Sequence, residues 1–246
     1  MLSEKKSPYR HVPNTITCLN LFCGCLSIVC SFNGFLQEAA YFIIAAAVFD
    51  FFDGFAARWL RAYSAMGKEL DSLADMVSFG VAPAAIMYEL LSPAVENYEL
   101  SAWWAIPAFI ITVFSALRLA KFNIDTRQND SFIGLPTPAN ALFICSLAFV
   151  SSSEHHLIWL TGNPMFLFAV TILFSYLLVA ELPLFSLKFK SFDWKNNKIR
   201  YIFVSISALM LICLHWAGLA VVILIYIFLS VFIFLLCNKK ASTQDK

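Results

Sequence analysis

Apolar runs of about 20 residues recur along almost the whole 246-residue chain, and they restrict what it can fold into. A run of that length crosses the hydrocarbon layer of a bilayer as a helix. Only helices and closed barrels satisfy all backbone hydrogen bonds there, and these runs lack the alternating pattern of barrel strands. Charged residues make up 13% of the sequence, about half the share of a typical soluble domain. The sequence therefore predicts an all-α polytopic membrane protein with one transmembrane domain, residues 1–246.

Eight hydrophobic helices are predicted, separated by short polar segments. They cover residues 13–33, 37–60, 68–91, 102–121, 134–152, 164–183, 199–215 and 218–237. Residues 1–12 are expected to form a short interfacial segment. We expect residues 13–152 to form the helix core that carries the site discussed below, and residues 164–237 to be additional transmembrane helices.

The basic residues lie at alternate ends of the predicted helices. All 17 Lys and Arg residues fall in the N-terminus, the segments 58–68, 118–127 and 188–200, and the C-terminal tail. The intervening turns carry only acids, such as Glu38 and Glu96. Cytoplasmic loops of membrane proteins are enriched in Lys and Arg. We therefore expect both termini and every basic loop to face the cytoplasm, in a multi-pass protein of the cell (inner) membrane.

Four aspartates lie inside two adjacent predicted helices. Asp50 and Asp53 are three residues apart in the second helix, and Asp71 and Asp75 are four apart in the third. Either spacing places both carboxylates on one helical face. Helical rise puts the four groups roughly 6 to 16 Å below the cytoplasmic surface. Because an ionised Asp inside a bilayer costs about 2.5–3.5 kcal/mol, this arrangement predicts a functional cavity that opens to the cytoplasm.

Four carboxylates in one cavity need compensating positive charge. Mg²⁺ and Mn²⁺ are oxygen-ligated and are commonly held by carboxylates together with substrate phosphates. Two such ions would balance four carboxylates and leave coordination positions for a diphosphate. The alternative interpretation is a proton or ion pathway, in which the acids pair with Arg58, Arg61 and Lys68.

Small and basic residues around the aspartates favour the metal–diphosphate interpretation. Gly54 and Ala57 place small residues on this face of the second helix, so that a ligand or metal can approach the backbone. Arg58 lies one turn closer to the cytoplasm and suits a phosphate. Gly67 opens the third helix, whose N-terminal amides also favour anions.

The spacing of these residues resembles the signature of the CDP-alcohol phosphatidyltransferase family. The match comprises eight fixed residues over 26 positions: Asp50, Asp53, Gly54, Ala57, Arg58, Gly67, Asp71 and Asp75. Four flanking segments, 13–28, 71–84, 118–123 and 132–141, resemble the bacterial branch of that family in which serine is the acceptor. The resemblance covers about residues 9–145.

The resemblance implies roles for individual residues. The four aspartates correspond to the family's metal ligands, for two Mg²⁺ or Mn²⁺ ions per active site, and Asp75 also corresponds to the proposed general base. Contacts to the CDP-lipid are implied for Asn14, Thr15, Gly54, Ala57, Arg58, Ser64 and Gly67. A homodimer is the expected assembly.

The implied reaction is phosphatidyl transfer from CDP-diacylglycerol to L-serine, which yields phosphatidylserine and CMP in phospholipid biosynthesis. A phosphorylated acceptor such as glycerol 3-phosphate or inositol phosphate is an alternative, but it should require further basic residues in the cavity. An ion-coupled transporter is an alternative of another class. Transporters often contain repeated halves, and the sequence has no matching second half.

Candidate residues for the serine pocket lie near the end of the fourth helix. Arg118 and Lys121 could hold the serine carboxylate, and Asn123 and Thr137 could complete the wall. The two basic residues are equally explained as anchors whose side chains extend to the lipid headgroups. The two interpretations are compatible with each other.

Overall fold

The computed structural model describes residues 11–125, 132–153, 158–184 and 194–244, and these are overwhelmingly helical. The predicted all-α class is confirmed. The predicted interfacial segment 1–12 lies outside the described residues except for its last two, which begin the first helix. Parts of the basic segments, including Arg127 and residues 188–193, also lie outside them.

Nine helices run through the described part of the chain. They are α1 (His11–Phe32), α2 (Leu36–Trp59), α3 (Ala65–Met76), α4 (Ala82–Asn97), α5 (Ile110–Ile124), α6 (Thr137–Ser153), α7 (Ile158–Thr161), α8 (Pro164–Val179) and α9 (Trp194–Gln244). Five helical stretches are long and apolar enough to cross a membrane, and two more are apolar but shorter. The chain is therefore a multi-pass membrane protein.

The third predicted helix is one span, Ala65–Asn97, with a change of winding inside it. A π-helical turn, Val77–Val81, joins α3 to α4. Pro83 lies at the start of α4 and has no N–H to continue the regular ladder. A 3₁₀ segment, Ala102–Phe109, similarly precedes α5. Neither change of winding was predicted, because the apolar pattern looks the same on both sides.

The long helix α9 is folded back on itself at His215, where φ is 50° and ψ is −124°. The rings of Phe203 and Tyr226 lie 5.9 Å apart, whereas a straight helix would separate these residues by roughly 35 Å. Gly218 packs closely on the Met210 backbone, where an added Cβ would lie 2.9 Å from the carbonyl carbon. This segment is thus a hairpin of two helices, as the predicted helices 199–215 and 218–237 require.

Helix ends differ from the predictions near two short strands. β1 (Phe132–Ile133) and β2 (Pro183–Leu184) pair in antiparallel register. The sixth apolar helix, predicted to end at residue 183, ends at Val179 because the chain then turns into β2. This pairing holds the start of α6 against the end of α8, where Leu135 N donates to Leu177 O at 2.9 Å.

The apolar core lies between α2, α4, α5 and α6. Its fully buried side chains include Ile43, Ile86, Met87, Ile111 and Ile144. The polar cavity described next lies at the opposite end of α2, beside the start of α1 and α3. Packing among apolar side chains at one end thus fixes the helices that carry polar groups at the other.

Candidate active site

Three carboxylates converge between α2 and α3. One oxygen from each of Asp50, Asp53 and Asp71 lies within 4.8 Å of the other two. Asp53 is buried, and the other two are partly exposed. Within the described residues, this group could hold a metal ion.

The connection between α2 and α3 creates this convergence. Arg61 adopts a left-handed conformation with φ 48°, and Ser64 caps α3 by accepting a hydrogen bond from Gly67 N at 2.9 Å. Both helices pack against α1 rather than closely against each other. A cleft therefore remains between them, and the carboxylates face each other across it.

Asp75 lies beside the three-carboxylate group rather than within it. It is partly buried, its carboxyl group adjoins that of Asp50, and it accepts a hydrogen bond from Asn20 Nδ2 at 3.3 Å. Arg118 is near enough to interact with it electrostatically. The structure thus brings the four predicted metal ligands into one neighbourhood, but it groups only three of them at ligand spacing. Asp75 lies one turn further along its helix than Asp71.

A cavity of about 240 Å³ adjoins the carboxylates. It is lined by Pro13, Asn14, Thr17, Asp53, Gly54, Ala57, Arg58, Ala62, Tyr63, Ser64, Gly67, Lys68 and Asp71. Six of the seven predicted CDP-lipid contacts belong to this lining; Thr15 does not. The cavity sets two cationic side chains beside carboxylates, a pairing suited to a phosphate held with a metal ion.

The structure does not place Thr15 in the lining of this cavity. Thr15 is exposed, and its hydroxyl donates to His11 O in its own helix at 2.8 Å. Thr17 is buried in the cavity wall instead and donates to Asp53 Oδ2 at 2.6 Å. Residues three apart share a helical face, as Asn14 and Thr17 do, whereas residues one apart do not. Helical spacing from Asn14 could therefore have identified Thr17.

The two glycines of the cavity differ in what surrounds them. A Cβ added to Gly54 would meet nothing closer than Arg58 Nη2, at 4.0 Å. Packing within the protein therefore does not require glycine there, and the open space lies towards the cavity. A Cβ added to Gly67 would lie 3.0 Å from both Asn14 Oδ1 and Ser64 Oγ. Gly67 is thus needed for close packing at the start of α3.

Sequence reasoning missed Tyr63 and gave Lys68 no ligand role. Both side chains are exposed and line the cavity. Lys68 Nζ lies 3.4 Å from Asn123 O. Its position three residues before Asp71, on the same helical face, is the signal that could have placed it in the site.

The four candidate residues for the acceptor have different surroundings. Lys121 pairs with Glu181 at 3.2 Å, and Asn123 Nδ2 donates to Ser72 Oγ at 2.9 Å. Thr137 is buried at the start of α6. Arg118 differs from all of these because its charge interacts with that of Asp75.

Arg118 points into the protein. It is 7% exposed, its Nε donates to Leu135 O at 2.8 Å, and its guanidinium lies 5.3 Å from the centre of the Phe122 ring. A membrane anchor would instead extend to the headgroups, so that interpretation does not describe this residue. Lys121, partly exposed and paired at the surface, fits it better.

The chain is similar to known proteins over most of its length. The family model for CDP-alcohol phosphatidyltransferases matches residues 10–234. The CDP-diacylglycerol–serine O-phosphatidyltransferase of Bacillus subtilis is 37% identical over 172 residues, which cover 70% of this chain and 88% of the relative. The protein of the same name from Helicobacter pylori is 31% identical over 203 residues, or 81% and 82% of the two chains.

An archaeal relative extends the comparison. The archaetidylserine synthase of Methanothermobacter thermautotrophicus is 36% identical over 149 residues, which cover 59% of this chain and 61% of the relative. The family match includes every residue that lines the cavity and all four aspartates. The chain therefore belongs to the CDP-alcohol phosphatidyltransferase family.

Proposed function

We propose that this membrane enzyme transfers the phosphatidyl group of CDP-diacylglycerol to L-serine and releases phosphatidylserine and CMP. The observation that carries the proposal is the group of three carboxylates, two of which, Asp53 and Asp71, line one cavity. Arg58 and Lys68 line the same cavity. That combination suits a metal-bound diphosphate at the end of membrane-spanning helices. The names of the bacterial relatives support serine as the acceptor.

The residues present fit a divalent cation. Asp50, Asp53 and Asp71 offer hard oxygen donors at a mutual spacing that one ion can span, and Asp75 stands beside them as a fourth. Two Mg²⁺ or Mn²⁺ ions would balance the four charges. When bound, such ions polarise phosphoryl oxygens and stabilise developing negative charge.

The chain's own residues would orient the CDP-lipid. Arg58 and Lys68 supply cationic donors for the diphosphate, and the open space at Gly54 lets a phosphate approach the backbone of α2. Asn14 and Thr17 form the opposite wall on α1. In this arrangement the cytidine diphosphate lies in the cavity while the acyl chains stay in the bilayer.

Asp75 would act as the general base. It takes the proton of the serine hydroxyl as that oxygen forms a bond to the β-phosphorus. The bond between the β-phosphorus and the bridging oxygen breaks, and CMP leaves with that oxygen.

Arg118 would bind the serine carboxylate. It is a buried guanidinium near Asp75, so one small amino acid could contact both groups. Guanidinium groups bind carboxylates through paired hydrogen bonds. We also propose that the active site faces the cytoplasm, because the basic segments lie at this end of the helices, and that the protein is a homodimer.

A panel of acceptors tests the proposed function. The purified protein is incubated with CDP-diacylglycerol, Mn²⁺ and one alcohol at a time, and CMP release is followed. Release with L-serine, accompanied by phosphatidylserine, is the expected result. Release with glycerol 3-phosphate or inositol phosphate but not serine would overturn the acceptor while leaving the class of reaction intact.

Arg118→Lys should raise the KM for serine by about tenfold or more and leave the KM for CDP-diacylglycerol unchanged. Lysine keeps the positive charge but loses the paired hydrogen bonds to a carboxylate. Lys121→Gln is the matched control, because Lys121 pairs with Glu181 at the surface. Equal KM values for serine in Arg118→Lys and the unaltered protein would remove Arg118 from the acceptor site.

Gly54→Ala should weaken binding of the CDP-lipid by about tenfold while the protein keeps its thermal stability. The added methyl meets no protein atom closer than 4.0 Å, but it occupies the space assigned to the diphosphate. Gly24→Ala should instead lower the thermal stability, because its methyl would lie 2.8 Å from Ser78 Cα where the two helices cross. The measurements are the KM for CDP-diacylglycerol and the melting temperature in detergent. A loss of stability in Gly54→Ala would contradict this assignment.

A further inference from the structure

Asn20 touches Asp75 from the neighbouring helix and has no place in the reaction so far described. It lies on α1, is 0% exposed, and donates through Nδ2 to Asp75 Oδ1 at 3.3 Å. A carboxylate can only accept at this contact, so the NH₂ end of the amide must face Asp75. The carbonyl end therefore points away from the contact.

The carbonyl oxygen of Asn20 is buried without a hydrogen-bond partner. Leaving a buried polar atom unpaired costs about 1–3 kcal/mol. An apolar residue of the same shape would avoid that cost at this place in the helix seam. The amide is therefore explained by the hydrogen bond that it gives to Asp75 rather than by its contribution to folding.

A second contact fixes the position of Asn20 along the helix that carries Asp75. The hydroxyl of Ser78 donates to the backbone oxygen of Asn20 at 3.0 Å, and this contact is buried. Ser78 lies in the π-helical turn that begins two residues after Asp75. Gly24, one turn along α1, allows Ser78 to approach this closely, because any Cβ there would overlap Ser78. Asn20 thus contacts the third span twice, with its side chain at Asp75 and with its backbone at Ser78.

We propose that Asn20 is a positioning residue that fixes the carboxyl group of Asp75 towards the acceptor hydroxyl. The hydrogen bond from Ser78 to the Asn20 carbonyl fixes the position of α1 along the π turn. The side-chain amide of Asn20 then orients the Asp75 carboxylate. This inference rests on the proposed role of Asp75 as the base. Residues that orient a functional carboxylate commonly affect activity by about 10- to 100-fold.

Asn20→Leu tests this role with a side chain of similar shape and no donor. We expect kcat to fall by about 10- to 100-fold. The KM values for both substrates should stay within about twofold, and the melting temperature in detergent should equal or exceed that of the unaltered protein. Ser31→Ala is the control. Ser31 lies on the same buried face of α1, and its hydroxyl donates to Ser27 O in its own helix, so the variant should leave kcat unchanged.

A double variant shows whether Asn20 acts through Asp75. Adding Asn20→Leu to Asp75→Asn should cause no further loss in a radiolabelled-substrate assay, because the carboxylate that the amide orients is already gone. An unchanged kcat in Asn20→Leu, a loss matched by lower stability, or an additive loss in the double variant would each overturn the proposal. The assay uses whichever alcohol the unaltered protein accepts, so a failure of the serine assignment appears separately, in the unaltered protein.

Discussion

Replacing Asp75 by asparagine should lower turnover by about 10²- to 10⁴-fold, the contribution typical of a positioned acid or base. Asparagine has the shape of aspartate and its carbonyl can still accept the hydrogen bond from Asn20 Nδ2, so the protein should fold normally. It cannot take the proton of the acceptor hydroxyl. The loss should appear in kcat at saturating serine and CDP-diacylglycerol, measured as CMP release.

Glu38→Gln is the matched control for this experiment. Glu38 is an acid in the first turn of α2, at the end of that helix away from the carboxylates, so its loss should leave turnover unchanged. Turnover close to that of the unaltered protein in Asp75→Asn would refute the general-base assignment. It would also contradict Asp75 as a fourth metal ligand, and it would not bear on the three-carboxylate group or the CDP-lipid cavity.

Replacing Asp71 by asparagine should weaken binding of the divalent cation by more than about 100-fold. Asp71 supplies one of three oxygens grouped within 4.8 Å, and loss of a direct ligand should exceed the 10- to 100-fold cost typical of outer-shell partners. Binding of Mn²⁺ can be followed by electron paramagnetic resonance without any assay of turnover. Activity should fall in parallel, and excess Mn²⁺ should restore part of it.

The control for Asp71→Asn is Glu69→Gln on the same helix. Glu69 is exposed and does not line the cavity, so the variant should bind Mn²⁺ as the unaltered protein does. Equal Mn²⁺ affinity in Asp71→Asn and the unaltered protein would show that this carboxylate is not a ligand. Removal of the cation with a chelator should abolish turnover in every variant, and added Mn²⁺ should restore it.

The sequence allowed the helices and the acidic cluster to be predicted because both depend on local spacing. Asp50 and Asp53 share a face at any helical geometry, and so do Asp71 and Asp75. Alternating charge between helix ends also required two helices between residues 199 and 237. The break at His215 provides them within one continuous run of apolar residues.

Other features depend on how one helix face meets another, which spacing alone does not specify. Helical spacing from Asn14 favours Thr17 over Thr15, but the contact of Thr17 with Asp53 depends on the packing of α1 on α2. The sequence explains Arg118 equally well as a membrane anchor or as a ligand. The structure turns it inward through a hydrogen bond to Leu135 O, 17 residues further along the chain, which local spacing could not predict. The π turn after Asp75 likewise leaves no trace in the apolar pattern.

The cleft between α2 and α3 has a consequence for how a lipid substrate would reach the site. Both helices pack on α1 and make little contact with each other, so we expect the cavity between their ends to be reachable from the bilayer. Phe51 and Phe55 on α2 and Leu73 on α3 have exposed apolar side chains. A two-chain lipid could slide its headgroup in sideways without being lifted out of the bilayer. The rate would then depend on the mole fraction of this substrate in the membrane. Diluting the substrate with inert lipid should slow the enzyme even when the total substrate concentration in the assay is constant.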